Sequence, residues 1–153
     1  MQELNLKHNE EIIYTANMLF TNEEVFQKEY TVYLTNLNLI LYKNVKKLFR
    51  EPKKELLKLP LANFNFVDGE PFFDIFKNDD YDLCGIKTIY QRKIIELAFE
   101  DDEEKDYITE SKIFGKLLAQ EIKKNVNKAK VCPNCNAVIE NGMLFCQSCG
   151  TKI

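Results

Sequence analysis

The chain has 153 residues, 45% of them hydrophobic and 29% charged, and a formal net charge of −3. That balance is ordinary for a globular protein, and it excludes a disordered polyelectrolyte and a globally basic nucleic-acid binder. The N-terminus (Met1-Gln2-Glu3-Leu4-Asn5) has no secretory leader pattern, and no apolar run approaches the roughly 20 residues that span a bilayer, so the expected location is the cytoplasm, with at most peripheral attachment to a membrane.

Strand signals fill the first two thirds of the chain. Glu11–Phe20 is apolar and β-prone. Lys28–Leu34 places Tyr30, Val32 and Leu34 on one face, and Leu37–Lys43 sets Leu37, Leu39 and Leu41 against Asn38, Ile40 and Tyr42, with a reversal at Thr35-Asn36. The loop before the second strand, Thr21–Gln27, is acidic through Glu23 and Glu24. A basic stretch follows. Lys43, Lys46, Lys47, Arg50, Lys53, Lys54 and Lys58 face only Glu51 and Glu55, with Leu48 and Phe49 in the middle. Three readings fit it. It is a solvated loop with its apolar tip folded back, or a contact for an anionic membrane or acidic protein, at about 1 kcal/mol per nearby base. The third is a contact for nucleic-acid phosphates.

Leu59–Val67 and Phe72–Lys77 read as strands joined by Asp68-Gly69, and Leu83–Tyr90 and Lys93–Phe99 as a hairpin about Gln91-Arg92. Seven strands in hairpin succession predict an antiparallel sandwich or barrel. The acidic run Glu100–Glu104 reads as a solvated lead into a helix. From about Glu110 to Val126 the period becomes helical, with Ile113, Phe114, Leu117, Leu118, Ile122 and Val126 in one stripe and Lys112, Lys116, Lys123 and Lys124 mostly outside it. Thr109 or Ser111 is the expected N-cap, and the stripe is expected to cover the open end of the barrel. Residues 125–130 read as a linker, which divides the chain into 1–128 and 129–153.

The tail carries Cys132-Pro133-Asn134-Cys135 and Cys146-Gln147-Ser148-Cys149-Gly150. Two C-x-x-C pairs supply four thiolates for a tetrahedral metal, although two disulfides or a redox pair use the same residues. Asn136 and Gly150, just after each pair, are residue types that readily turn left-handed. Between them Ala137–Glu140 and Met143–Phe145 flank Asn141-Gly142, a hairpin signal. So short a segment has no core of its own, whereas a structural zinc supplies an apparent ~10–16 kcal/mol. One structural Zn2+ held by Cys132, Cys135, Cys146 and Cys149 is therefore expected, with no open position for catalysis.

On Cys132, Pro133, Cys135, Phe145, Cys146, Cys149 and Gly150 the tail resembles the short zinc ribbons at the termini of many bacterial and archaeal proteins; Asn136 stands where glycine is usual. Residues 8–128 resemble the bacterial pleckstrin-homology and GRAM-type group through Leu34-Thr35-Asn36-Leu37 and its following strand, and through Leu59-Pro60-Leu61-Ala62-Asn63-Phe64. The resemblance implies a mainly β fold, a seven-stranded PH-like barrel capped by one C-terminal helix, that binds lipids, peptides or proteins. The acidic Thr21–Gln27 loop departs from the basic first loop of phosphoinositide binders.

Candidate catalytic groups are few. The chain has no Ser-His-Asp set and no phosphate-binding glycine loop; His8 lies in a polar segment and Cys84 reads as a small buried hydrophobe. Phe64, Phe66, Phe72, Phe73 and Phe76 read as core and wall. The expected function is a non-catalytic adaptor, a PH-like domain with a protein or anionic-lipid partner plus a zinc-ribbon interaction module, and no small-molecule substrate. The alternative is a nucleic-acid-associated zinc-ribbon protein, for which the tail's charges outside cysteine (Lys130, Glu140 and Lys152) make a poor footprint.

Overall fold

The computed structural model describes residues 4–23, 27–45, 53–78, 83–100, 106–126, 130–139 and 143–152, with backbone alone at 44, 45, 53, 54 and 78. Alternating side chains build β1 (Ile12–Thr21), β2 (Lys28–Thr35) and β3 (Asn38–Val45), followed by β4 (Lys53–Pro60), β5 (Phe66–Val67), β6 (Glu70–Pro71), β7 (Phe73–Asn78), β8 (Leu83–Tyr90) and β9 (Lys93–Glu100), and then one helix, α1 (Tyr107–Lys124). Seven strands form one antiparallel sheet in the order β4-β3-β2-β1-β9-β8-β7.

The sheet is not closed into the expected barrel: β4 and β7 are its edges among the described residues. The reason lies between them. In place of one long strand over Leu59–Val67, β4 ends at Pro60, a 3-10 turn occupies Leu61–Asn63, and β5 pairs only with β6. The Asp68-Gly69 hairpin is present, with both residues at positive φ (52° and 81°), but it joins strands of two residues each. Phe73–Asn78 pairs instead with β8. Conversely, Lys53–Lys58, read as part of a basic loop, belongs to β4 and pairs with β3 from Val45↔Lys53 to Asn38↔Pro60. An edge strand rich in lysine gives little alternation to read, and edge lysines discourage pairing with other chains.

The Leu-Thr-Asn turn is held by side-chain bonds. The Thr35 hydroxyl accepts from the amides of Leu37 (3.1 Å) and Asn38 (2.8 Å) and donates to the Asn38 carbonyl at 3.2 Å. Asn36 accepts from the Glu11 amide and donates to the Asn9 carbonyl, while Asn38 donates to the buried Glu10 carboxylate at 2.9 Å. These bonds satisfy polar groups whose burial would otherwise be costly, and they fix the N-terminal segment on the β2–β3 turn.

The helix begins earlier than its stripe suggests. Asp106 is the N-cap, accepting from the amides of Ile108 and Thr109, both at 3.1 Å, while the Thr109 hydroxyl donates to it at 2.7 Å. Thr109 thus supports the cap from inside the helix, and the Ser111 hydroxyl donates to the Tyr107 carbonyl. Those bonds, led by the Thr109 hydroxyl, hold the Asp106 carboxyl below its usual range. Its contribution to the helix is therefore present above the ordinary carboxylate pKa and lost as pH falls through the depressed value.

The buried face is Ser111, Phe114, Gly115, Leu118, Glu121 and Ile122, whereas Ile113 is 45% and Val126 55% exposed. That face lies across β6, β7, β8 and β9 rather than over a barrel mouth. Tyr14 stacks on Phe114 with centroids 5.2 Å apart, and Phe99 on Tyr107 at 5.1 Å. One core cluster joins Leu34, Leu41, Ile86, Leu97, Phe114 and Leu118. Phe64 is buried, with Phe66 and Phe73 packed against that cluster; Cys84 is buried and His8 exposed. Glycine admits close approach at two places: a Cβ on Gly115 would stand 2.6 Å from the Phe73 ring, and one on Gly85 only 2.0 Å from the Leu97 carbonyl oxygen. The second neighbour is backbone and has no rotamer to yield. Gly85→Ala is accordingly expected to cost about 3 kcal/mol, read as a lowered urea midpoint.

No described helix is long and apolar enough to cross a membrane.

Candidate metal centre

The four tail cysteines converge. The sulfurs of Cys132, Cys135, Cys146 and Cys149 all lie within 4.8 Å of one another. They meet across the two pairs: Cys132 Sγ is 3.7 Å from Cys149 Sγ, and Cys135 Sγ is 3.5 Å from Cys146 Sγ. A zinc–thiolate tetrahedron with Zn–S near 2.3 Å has edges of about 3.8 Å. A disulfide, by contrast, is about 2.05 Å long. All four are free thiols. The cluster can hold one metal ion, and four soft thiolates at these separations suit zinc.

The backbone explains how each pair presents its sulfurs. The two knuckles share one pattern, displaced by fourteen positions along the chain. In the first, the Asn136 amide donates to the Cys132 carbonyl (2.9 Å), the Cys132 amide to the Ala137 carbonyl (2.8 Å), and Val131 bridges Val138. In the second, Gly150 donates to Cys146, Cys146 to Thr151, each at 2.8 Å, and Phe145 bridges Lys152. Asn136 and Gly150 adopt positive φ, 62° and 78°, as their residue types anticipate. Pairing runs within each knuckle. The expected hairpin between Ala137–Glu140 and Met143–Phe145 is not seen among the described residues, and its turn at Asn141-Gly142 lies outside them.

Donors in the tight knuckles lower two of the thiols toward the thiolates a metal needs, whereas at Cys135 the Ala137 amide is outweighed by desolvation and by the three neighbouring cysteine side chains, which push that thiol up to about 12. The Cys149 thiol is lowered to about 6, first by the Thr151 hydroxyl at 3.0 Å, then by the Thr151 amide and the Asn134 side chain. Cys146 is also lowered, chiefly by the amide of Cys149. Cys132 and Cys146 are buried, and Cys135 and Cys149 exposed.

One partner of this cluster comes from the sheet. The Asn63 carboxamide, fully buried, donates to the Val131 carbonyl at 2.8 Å and accepts from the Val131 amide at 3.1 Å. Asn63 also donates to the Tyr90 hydroxyl at 3.4 Å. Burial pushes that hydroxyl up to about 12, the Asn63 bond opposing the rise and charge on Cys132 adding to it. Asn63 is a site residue that the sequence pattern does not single out; its burial between Leu61 and Phe64 is visible only in the structure.

Most of the basic stretch lies outside the described residues: Lys46, Lys47 and Arg50 entirely, and Lys53 and Lys54 beyond their backbone. Of the two that are described, Lys43 stands opposite Glu55 in the β3–β4 register; that carboxyl is held below its usual range first by the Tyr30 hydroxyl, then by Lys28, and least by Lys43. Lys58 is half-buried opposite Ile40.

No protein-family model matches the chain, and no curated protein matches it.

Proposed function

We propose that the protein is a non-catalytic binding or adaptor protein, in which a pleckstrin-homology-like sheet-and-helix domain carries a zinc ribbon whose metal is structural. The observation that carries this reading is the convergence of four cysteine sulfurs within 4.8 Å. Four protein thiolates fill a tetrahedral zinc and leave no position for a water or substrate. The metal then serves to shape residues 130–152, a segment too short to fold on a core of its own. Shaped in that way, the tail offers Val138, Leu144 and Phe145, which are 68%, 71% and 57% exposed. Exposed apolar groups on a rigid, weakly charged module suit a protein partner better than phosphates.

The test is a pull-down with full-length zinc-loaded protein against the same protein carrying Cys146→Ser. A protein retained by the first and lost by the second supports the reading. Retention of nucleic acid, abolished by nuclease, turns it to the alternative of a nucleic-acid-associated ribbon. Binding to anionic vesicles that survives in the variant assigns the partner to the sheet domain.

A further inference from the structure

We infer that Asn63, on the sheet domain, is a positioning residue of the metal centre, so that the sheet and the metal site stabilise one another. The inference rests on the reading of the four-cysteine cluster as a metal site.

In an extended segment, successive residues turn their N–H and C=O groups to opposite edges. Lys130 and Cys132 turn theirs toward the rest of their own knuckle: the Ile139 amide donates to the Lys130 carbonyl at 2.9 Å, and the Cys132 amide donates to the Ala137 carbonyl at 2.8 Å. Val131 must therefore present its N–H and C=O to the other edge. Among the described residues no second strand covers them; the Asn63 carboxamide does, accepting at 3.1 Å and donating at 2.8 Å. A carboxamide carries one carbonyl and one NH2, so it reproduces the pairing face of a peptide group. Aspartate lacks the donor, and serine is too short to offer both groups at that separation.

Asn63 is itself held firmly. The turn it closes is tied to the β8–β9 hairpin by the Asn65 amide donating to Ile89 (3.0 Å), by Asn65 Oδ1 accepting from the Arg92 amide (2.7 Å), and by a bridge between Phe64 and Tyr90 with ring centroids 4.9 Å apart. The residue after the latched Val131 is Cys132, whose exposure is 0%. The sheet thereby fixes where the first ligand sits as the tail closes around the metal. Groups that orient a ligand in this way typically alter metal affinity by 10–100-fold when removed. By linkage, what raises the affinity of the folded sheet for metal is returned as stability of the sheet when metal is bound.

The experiment is competition for Co2+, and then Zn2+, against a chromophoric chelator under reducing conditions, in full-length protein. Four forms are compared: wild type, Asn63→Ala, Asn63→Asp and Asn38→Ala. The aspartate variant keeps the volume and the acceptor facing the Val131 amide while losing the donor. Asn38→Ala removes a buried side-chain bond that is made to Glu10 of the N-terminal segment and not to the tail, and it controls for general loss of stability. Both Asn63 variants are expected to bind about 10–100-fold more weakly while retaining the charge-transfer bands of a four-thiolate site, with Asn38→Ala unchanged. The Asn63 side-chain amide protons are expected to be protected from exchange in the metal-loaded wild type and to lose that protection when the metal is stripped. Equal affinity in wild type and both Asn63 variants overturns the inference, as does an equal loss in Asn38→Ala. Failure of wild type to bind either metal overturns instead the metal-site reading on which the inference stands.

Discussion

Cys146→Ser is expected to strip the metal from the purified protein and to unfold residues 130–152. Cys146 is buried, faces Cys135 at 3.5 Å, and is held toward the thiolate form by the Cys149 and Ser148 amides. A serine hydroxyl at this position stays protonated at neutral pH and offers zinc a poor donor. Because binding and folding of such a segment are one event, losing a ligand removes both. Native mass spectrometry is expected to show the variant without metal, and amide exchange to show fast exchange at positions 132 and 146, whose N–H groups bond within the knuckles of the wild type. Cys84→Ser serves as the control, since Cys84 lies in β8 beside Ser111 and outside the cluster; it is expected to keep the metal.

Leu118→Asp is expected to cost about 3–5 kcal/mol, because it places a carboxylate without a partner in the core. Leu118 is 1% exposed, within the cluster that joins the helix to the sheet. A loss of that size is a large share of the 5–15 kcal/mol typical of a domain. Lys116→Asp, two residues away on the exposed face, is expected to stay within about 0.5 kcal/mol. Paired denaturant melts decide the matter. Equal midpoints for the two variants would contradict the placement of α1 on the sheet.

The contrast between these two sites was legible from helical period alone, and so were the strands with clean alternation. β2, β3, β8 and β9 lie within a residue or two of their expected bounds, and the Gln91-Arg92 turn has both residues at positive φ, 48° and 66°. The misses share a cause. β4 is an edge strand whose lysines obscure alternation, and the break falls at Pro60, where a residue without an N–H ends the strand and Leu61 and Phe64 turn into the core. On the helix, Ser111, Gly115 and Glu121 lie in the buried face, whereas an apolar stripe drawn from hydrophobicity takes in Ile113 and Val126, which are exposed.

The four-cysteine cluster was readable because spacing is local chemistry: two C-x-x-C pairs and the left-handed residue after each need nothing distant to be recognised. Pairing between the knuckles was not. Asn141-Gly142 suggests a shared hairpin, yet each knuckle closes its own bridge. Asn63 was the least legible of all. Its partner is 68 positions away in the chain, and nothing in a single sequence marks an asparagine that pairs with a backbone edge. Recognising it required knowing that Val131 presents an uncovered edge.

Whether the tail holds a metal is tested most directly by elemental analysis of freshly purified, reductant-treated protein, combined with thiol titration before and after chelation. One zinc per chain is expected, with four thiols shielded until the metal is removed. Protein that carries no tightly bound metal, and whose tail thiols react at once, would contradict the account.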